Sequence, residues 1–281
     1  MLALTGVTGA LGGLVADRLA DLDPLLLVRD PARLAAVGRG DVPPERVRTC
    51  TYADGEACER ALAGVTTLFM VSAAESPTRR EEHRSVIAAA ARAGVQHLVY
   101  TSFAGAAADA TFTLGRDHHD AERALAESGL HTTLLRDNFY LDVLPEFADA
   151  EGVVRGPAGQ GRVAAVARAD VADVAAVVLR DPAAHAGATH ELTGGEALTF
   201  AEVAERVTAS TGRPTTFVDE TVEEAYASRR AGWPDAAEFE LDAWVSTYTA
   251  IADGSCARVT DDVRRLAGHA PRTLEDVLAG R

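Results

Sequence analysis

The sequence contains no lysine, so arginine supplies all 27 of its basic side chains other than histidine. Schiff-base chemistry, a pyridoxal phosphate linkage and the phosphate-binding P-loop each need a primary amine, which a guanidinium cannot replace. The absence of lysine therefore excludes these three kinds of chemistry.

Cysteine is scarce as well, with only Cys50, Cys58 and Cys256. Their odd number gives no disulfide framework and their spacing is not that of a metal site, so we predict three reduced thiols. The adjacent His118 and His119 would diverge on a helix, which argues against a dihistidine metal centre. The sequence thus predicts no bound metal.

Long apolar runs are also missing. None approaches the roughly 20 residues that cross a bilayer, and no cationic stretch precedes an apolar one near residue 1. The formal net charge is -15 at pH 7, which repels the phosphates of nucleic acids and of anionic lipid surfaces. We therefore predict a cytoplasmic protein that binds neither nucleic acid nor membrane.

Short apolar, β-branched runs alternate with helical patterns through the first 150 residues, as in repeated βαβ units. The predicted strands cover residues 2–5, 25–28, 47–52, 67–71, 97–101 and 132–135, with a further strand at 190–193. Helices are expected at 170–179, between Thr199 and Gly212, and through the last 60 residues. The predicted fold class is α/β: a Rossmann-like doubly wound parallel sheet with a smaller mixed α/β, mostly helical C-terminal part.

A glycine-rich turn follows the first predicted strand and opens a helix. Gly6 permits the tight turn, Gly9 lets the backbone approach a pyrophosphate, and Gly12 lets the helix pack closely on the strand. The helix N-terminus presents free N–H groups and a positive dipole end to the phosphates. We interpret the turn as a dinucleotide site, the alternative being a simple tight turn.

Arg29 stands at the end of the second predicted strand, where NAD-binding proteins place a carboxylate for the ribose 2'-hydroxyl. A guanidinium holds a 2'-phosphate bidentately but offers a free hydroxyl no acceptor. The predicted cofactor is therefore NADP, as NADPH, although an ordinary surface arginine is the other interpretation and Asp30 follows directly. We expect an NADP-binding Rossmann domain over 1–149, with added strands from about 163–194, and a substrate-binding part over 150–281.

The G-x-x-G-x-x-G spacing resembles that of the short-chain dehydrogenase/reductase superfamily. Members that oxidise alcohols usually carry a Tyr-x-x-x-Lys pair, but this chain has no lysine and no tyrosine between Thr101 and Phe139. The sequence is similar to the atypical NmrA-like branch, and most similar to the type 2 NAD(P)H:quinone oxidoreductase group. Segments 5–12, 27–31, 61–65, 97–102, 134–136, 170–172, 192–194 and 271–276 carry this resemblance, together with His83, His118 and Glu122.

The resemblance implies a cofactor site that follows the carboxyl ends of the strands. Its expected members are Gly6, Val7, Thr8, Gly9, Ala10, Leu11, Gly12, Arg29, Val71, Ser72, Ala73, Thr101, Asn138 and Phe139. Segment 71–73 should pass under the two riboses, and segment 138–140 should line the nicotinamide. Two departures stand out: Thr51 replaces a common acidic residue, and Asp137-Asn138 replaces an Asn-Gly or Pro-Gly pair.

Three residues are candidates for catalysis. Tyr140 is the best-placed phenol for donating a proton to a reduced product, and the Ser102 hydroxyl could bind a substrate carbonyl. His118 and Glu122 share a helical face, which favours either a polar relay or a capping pair. The aromatic residues that could wall a planar substrate, unless they serve ordinary core packing, are Phe103, Phe139, Trp233, Trp244 and Tyr248.

Two functions fit these features. The first is an NADPH-dependent oxidoreductase that transfers hydride to a quinone or a related conjugated carbonyl or imine, since a hydroquinone anion needs no strong acid for its protonation. The second is a non-catalytic NADP(H)-binding redox sensor of the NmrA type. The expected partner is a small, planar substrate, and the chain is expected to be a monomer or a homodimer.

Overall fold

The computed structural model describes residues 1–280. Among them the strands are β1 (Leu2–Leu4), β2 (Leu25–Val28), β3 (Val47–Thr49), β4 (Thr67–Met70), β5 (His97–Phe103), β6 (His131–Asp137), β7 (Val153–Gly156), β8 (Thr189–Leu192) and β9 (Thr216–Asp219). The helices are α1 (Ala10–Arg18), α2 (Ala32–Ala36), α3 (Gly55–Ala61), α4 (Arg79–Arg92), α5 (Thr113–Glu127), α6 (Arg168–Arg180), α7 (Phe200–Thr211), α8 (Val222–Gly232), α9 (Glu238–Ala252), α10 (Asp262–Ala267) and α11 (Leu274–Leu278). Each predicted strand is present, and β7 and β9 are additional.

Seven strands form one sheet in the order β3-β2-β1-β4-β5-β6-β8. Strand β1 pairs in parallel with both β2 and β4, and the parallel ladder continues to β3 on one side and β5 on the other. The order reverses between β1 and β4, and ligands of open α/β sheets bind at such a switch point. The predicted Rossmann-like doubly wound sheet is confirmed.

The chain divides into two compact units. The first consists of Met1–Ser102, Asp117–Arg136 and Val171–His190. Its core is made by strand and helix residues such as Met70, Ile87, Leu98 and Tyr100, which are almost fully buried. All four residues of β2 are buried, as a strand covered on both faces of a parallel sheet requires.

The second unit consists of Phe103–Arg116, Asp137–Asp170 and the residues from Glu191 onward. It contains the parallel pair of β7 and β9 and the helices from α7 to α11, so the predicted mostly helical C-terminal part is confirmed. Helix α7 begins and ends as predicted, with a capping box between Thr199 and Glu202 and a left-handed Gly212 after its last turn. The predicted boundary between residues 149 and 150 remains a prediction, because each compact unit draws on three stretches of chain.

Cys50 and Cys58 form a disulfide, so the prediction of three reduced thiols is wrong for this pair. Cys50 follows β3 and Cys58 lies in α3, and the turn between them brings their Cα atoms to 4.9 Å. Cysteine count and spacing do not reveal such a turn. Cys256 is a buried free thiol.

In the part of the chain that the structure describes, no helix combines the length and the apolar character that spanning a membrane demands.

Candidate functional site

A cavity of about 410 Å³ lies at the carboxyl ends of the first four strands, within the first unit. This volume is in the range of small-molecule and cofactor pockets. Its lining consists of Thr5, Gly6, Val7, Thr8, Gly9, Leu27, Val28, Arg29, Arg33, Cys50, Thr51, Tyr52, Val71, Ser72, Ala73, Ala74, Glu75, Ser76 and Glu82. The predicted cofactor residues among them are Gly6, Val7, Thr8, Gly9, Arg29, Val71, Ser72 and Ala73.

The glycine-rich turn has no room for a side chain at Gly6 or Gly12. Gly6 has a φ of +68°, and a Cβ placed on it would lie 2.8 Å from the Cβ of Val71. A Cβ on Gly12 would lie 2.3 Å from the carbonyl oxygen of Gly6. Gly9 stands at the N-cap of α1 with no capping side chain, so the first N–H groups of the helix are left for a ligand. This arrangement fits a bound diphosphate.

The remaining predicted residues of this segment, Ala10, Leu11 and Gly12, form the first turn of α1 and do not line the cavity. Leu11 and Gly12 are buried behind it. The glycine spacing therefore serves two purposes, since Gly6 and Gly9 form the wall while Gly12 allows the helix to approach the turn.

Arg29 and Arg33 bring two exposed guanidinium groups to the cavity. Within residues 1–280, neither guanidinium forms an ion pair or a hydrogen bond. The neighbouring Asp30 accepts a hydrogen bond from the backbone N–H of Ala32 at 3.0 Å, so its carboxylate is engaged at the start of α2. Two guanidinium groups that no described side chain engages directly are suited to a phosphate group. Sequence reasoning missed Arg33, which reaches the cavity from the first turn of α2.

Tyr52 joins the turns that follow three strands. Its hydroxyl lies 2.7 Å from Thr5 Oγ1 and 2.8 Å from the carbonyl oxygen of Val71, and the Val71 N–H donates to Thr5 Oγ1 at 2.9 Å. Burial raises the pKa of Tyr52, so the phenol stays protonated. This residue was not predicted to belong to the site.

Thr101 and Ser102 point to opposite faces of β5, as successive strand residues must. The Thr101 hydroxyl accepts a hydrogen bond from the Ser72 N–H at 2.9 Å, so Thr101 supports the cavity wall from outside the lining. The fully buried Ser102 hydroxyl donates to Glu122 at 2.6 Å. Glu122 also accepts two hydrogen bonds from Arg136, at 2.8 and 2.6 Å. Ser102 is thus part of a partly buried ionic cluster, and a role for it in substrate binding remains a prediction.

His118 lies in a buried cluster behind the wall of the cavity. Its Nε2 is 3.1 Å from Arg79 Nη2, and its Nδ1 is 3.0 Å from the hydroxyl of Tyr100. The hydroxyl of Tyr100 is in turn 3.5 Å from Nδ1 of His83. Burial, aided by the charge of Arg79, lowers the pKa of His83 to about 3 and that of His118 well below its usual value. Both rings are therefore neutral near pH 7.

This cluster predicts acid sensitivity. In the unfolded chain His83 titrates near 6.5, so protons bind the unfolded state preferentially as the pH falls from 6.5 towards the folded value of about 3. We expect the free energy of unfolding to decrease by about 1.4 kcal/mol per pH unit for this histidine alone. Urea unfolding at pH 7 and pH 5 measures it. The decrease in the free energy of unfolding from pH 7 to pH 5 should be smaller in His83→Gln than in wild type, and unchanged in the control His119→Gln. Equal decreases in all three proteins would contradict the assignment.

In the second unit, Tyr140 donates a short hydrogen bond to Asp137. Burial raises the pKa of Asp137 to about 7, and burial with the neighbouring carboxylate raises that of Tyr140 well above its usual value. The guanidinium of Arg168 lies over the phenol ring, 5.0 Å from its centroid. Tyr140 therefore has a carboxyl group beside it that titrates near neutral pH.

Asn138 and Phe139 belong to the same unit. The buried Asn138 amide donates to the carbonyl oxygen of Cys256 at 2.9 Å and accepts from the Phe139 N–H at 2.8 Å. Phe139 packs with Phe103 and Phe112, with ring centroids 4.9 to 5.0 Å apart. The three rings make a compact aromatic cluster, and cofactor contacts for segment 138–139 remain a prediction.

The other aromatic candidates lie elsewhere in this unit. Trp233 and Trp244 contact each other edge to face at 5.4 Å, and Trp233 is exposed. Tyr248 stacks on Phe200 at 5.0 Å and is buried, which matches the core-packing alternative.

The chain belongs to the NAD(P)H-binding family, whose model matches residues 6–182. It is 33% identical to quinone oxidoreductase 2 of Escherichia coli K12, over 98% of this chain and 96% of that protein. It is 34% identical, with the same coverage, to (4-alkanoyl-5-oxo-2,5-dihydrofuran-3-yl)methyl phosphate reductase of Streptomyces griseus.

A solved structure is similar along the whole chain. It is the NADPH-dependent quinone oxidoreductase of Escherichia coli in complex with NADPH, with a TM-score of 0.88, 31% identity, and coverage of 100% of this chain and 99% of that one. The expected resemblance to the type 2 quinone oxidoreductase group is confirmed. The class is thereby confirmed as well: the protein is an NAD(P)H-dependent oxidoreductase.

Proposed function

We propose that this protein is an NADPH-dependent reductase that transfers hydride to a quinone or a related conjugated carbonyl or imine. The observation that carries the proposal is the cavity of the first unit, whose lining combines the glycine-rich turn with the two arginines Arg29 and Arg33. The Escherichia coli and Streptomyces griseus relatives support the electrophile class through their named activities.

Different residues of the first unit would bind different parts of NADPH. The turn at Gly6 and Gly9 and the N-terminus of α1 would hold the diphosphate through backbone N–H groups. Arg29 and Arg33 would bind the 2'-phosphate, which distinguishes NADPH from NADH. Bound NADPH would supply a hydride to the electrophile, and the protein then needs only to orient the substrate and provide a proton.

We assign the proton to the pair of Tyr140 and Asp137. The Tyr140 hydroxyl would give its proton to the oxygen of the reduced product, the Asp137 carboxyl group would replace that proton, and water would then reprotonate Asp137. Because the pKa of Asp137 is about 7, the carboxyl group is in its acid form below this pH. A hydroquinone anion needs only such a weak acid.

This assignment predicts a pH profile. At saturating NADPH and quinone, kcat should be level below pH 7 and fall by about tenfold per pH unit above it as Asp137 ionises. Tyr140→Phe should lower kcat by about tenfold to a hundredfold. The kcat of Asp137→Asn should be lower than that of wild type and should not change with pH across the same range. A wild-type decline above pH 7 that persists unchanged in Asp137→Asn would remove Asp137 from the assignment.

One cuvette experiment tests the function as a whole. NADPH and NADH are titrated by fluorescence, and 1,4-benzoquinone is then added while absorbance at the nicotinamide band is followed against a protein-free blank. Protein-dependent decay after tight NADPH binding would support the reductase. Tight binding without decay across a panel of quinones, enones and imines would reject it and favour the redox-sensor hypothesis.

A further inference from the structure

The backbone of residues 71–73, which we call the cavity loop, borders the cavity. Side chains from elsewhere in the first unit hold its peptide groups. At Val71 and Ser72 these are Thr5, Tyr52 and Thr101, as described above. Ala73 is held on both sides: its N–H donates to His83 Nε2 at 2.8 Å, and its carbonyl oxygen accepts from Arg79 Nε at 2.9 Å.

The contact with the Ala73 N–H fixes the protonation of His83. A backbone N–H is only a donor, so Nε2 of His83 must be the unprotonated nitrogen that accepts from Ala73. The ring is neutral, hence its proton is on Nδ1, the nitrogen that faces the Tyr100 hydroxyl. A second proton on the ring would set an N–H against the N–H of Ala73 and break the contact.

The protonation of His118 is fixed in the same way, by its contact with Arg79. Arg79 offers only donors, so Nε2 of His118 accepts from its guanidinium, and Nδ1 carries the proton that points to the Tyr100 hydroxyl. Arg79 is 3% exposed, and His83 is fully buried. Asp117 is the acidic group facing this cluster, 3.4 Å from Arg79 Nη1, and provides a counter-charge for the buried cation.

We propose that His83, Arg79 and His118 are positioning residues that fix the Ala73 peptide of the cavity loop in the conformation that binds NADPH. His83 and Arg79 act on the loop directly. His118 acts through Arg79, and the Tyr100 hydroxyl joins the two histidines. The inference rests on the proposed NADPH-dependent function and assigns to His118 a task other than the relay considered from the sequence.

The test replaces the acceptor for the Ala73 N–H. His83→Leu removes this acceptor from the buried site, whereas His83→Gln keeps an amide oxygen near the position of Nε2. We expect the Kd for NADPH, measured by fluorescence at pH 7.5, to rise about tenfold in His83→Leu, the loss of roughly one hydrogen bond. His83→Gln should restore it to within about threefold of wild type. kcat at saturating NADPH should change less than Kd.

If His83 only stabilised the fold, a folded His83→Leu would bind NADPH with the same Kd as wild type. A thermal melt followed by circular dichroism identifies a temperature at which each variant is fully folded, urea unfolding gives its stability there, and the titrations are made at that temperature. His119→Gln is the matched control, since it alters the adjacent histidine of α5. A folded His83→Leu that binds NADPH as tightly as wild type would overturn the proposal.

If His83→Leu does not fold, Tyr100→Phe decides the question. This change removes only the hydroxyl between the histidines, and a Kd raised about threefold supports the proposal while an unchanged Kd rejects it. The readout is binding rather than turnover. Wild type that binds NADPH but reduces no quinone would therefore reject the proposed function alone, and equal Kd values in wild type and folded variants would reject this inference alone.

Discussion

Gly12→Ala should abolish tight NADPH binding and lower the free energy of unfolding by about 1 to 3 kcal/mol, the usual range for overpacking. The new Cβ would lie 2.3 Å from the carbonyl oxygen of Gly6 and 2.9 Å from that of Thr5. Both obstacles are backbone atoms, so no side-chain rotation relieves the contact. Helix α1 and the turn after β1 must separate, and the N–H groups at the helix start would move away from the diphosphate.

Gly13→Ala is the matched control. A Cβ on Gly13 would meet its nearest atom, the carbonyl oxygen of Val7, at 3.5 Å, which is ordinary van der Waals contact. Alanine in place of this helical glycine should stabilise the protein by up to about 1 kcal/mol and leave NADPH binding intact. Fluorescence titration and urea unfolding of both variants check the pair. Similar behaviour of the two would show that the close approach of α1 is unimportant.

The double change Arg29→Ala, Arg33→Ala should raise the Kd for NADPH by about a hundredfold, or roughly tenfold for each lost charge-assisted contact. The Kd for NADH should stay within about threefold, because NADH has no 2'-phosphate. The expected result is thus a loss of cofactor preference rather than of cofactor binding. Parallel titrations with the two cofactors at low and moderate salt measure it, and salt should weaken NADPH binding in wild type more than in the variant.

Arg60→Ala controls for the loss of one positive charge away from the cavity. Arg60 is a well-exposed residue of α3 and does not line the cavity, so its removal should leave the ratio of the two Kd values unchanged. If the double variant weakened NADPH and NADH equally, the two arginines would act on some part of the cofactor other than the 2'-phosphate.

The strands and the glycine turn were predictable because local signals specify them. Buried parallel strands appear as short apolar runs, and Gly9 and Gly12 reflect close contacts with backbone atoms a few residues away. The apolar run of β2 also predicted where this strand ends, and it thereby placed Arg29 at the edge of the sheet. Alternation along β5 was enough to show that Thr101 and Ser102 face opposite sides, although the sequence prediction placed both at the site.

The features that the sequence did not predict depend on contacts between distant parts of the chain. The surroundings of His118 come from Arg79 and Tyr100, 39 and 18 residues away, so its helix alone suggested only a partner at Glu122. The disulfide depended on a turn after β3 that cysteine spacing does not show. Tyr52 likewise could not be predicted as a site residue, because its hydroxyl contacts Thr5 and Val71, which are 47 and 19 residues away.

The interleaving of the two compact units has a practical consequence for fragment expression. A gene split at residue 149 would leave α6 and β8 on the wrong fragment, although Val171–His190 belongs with the first unit. The N-terminal fragment would then expose the side of β6 that β8 normally covers, and an unpaired edge of this kind promotes aggregation. Circular permutation, which keeps every segment in one chain, is the better route to new termini.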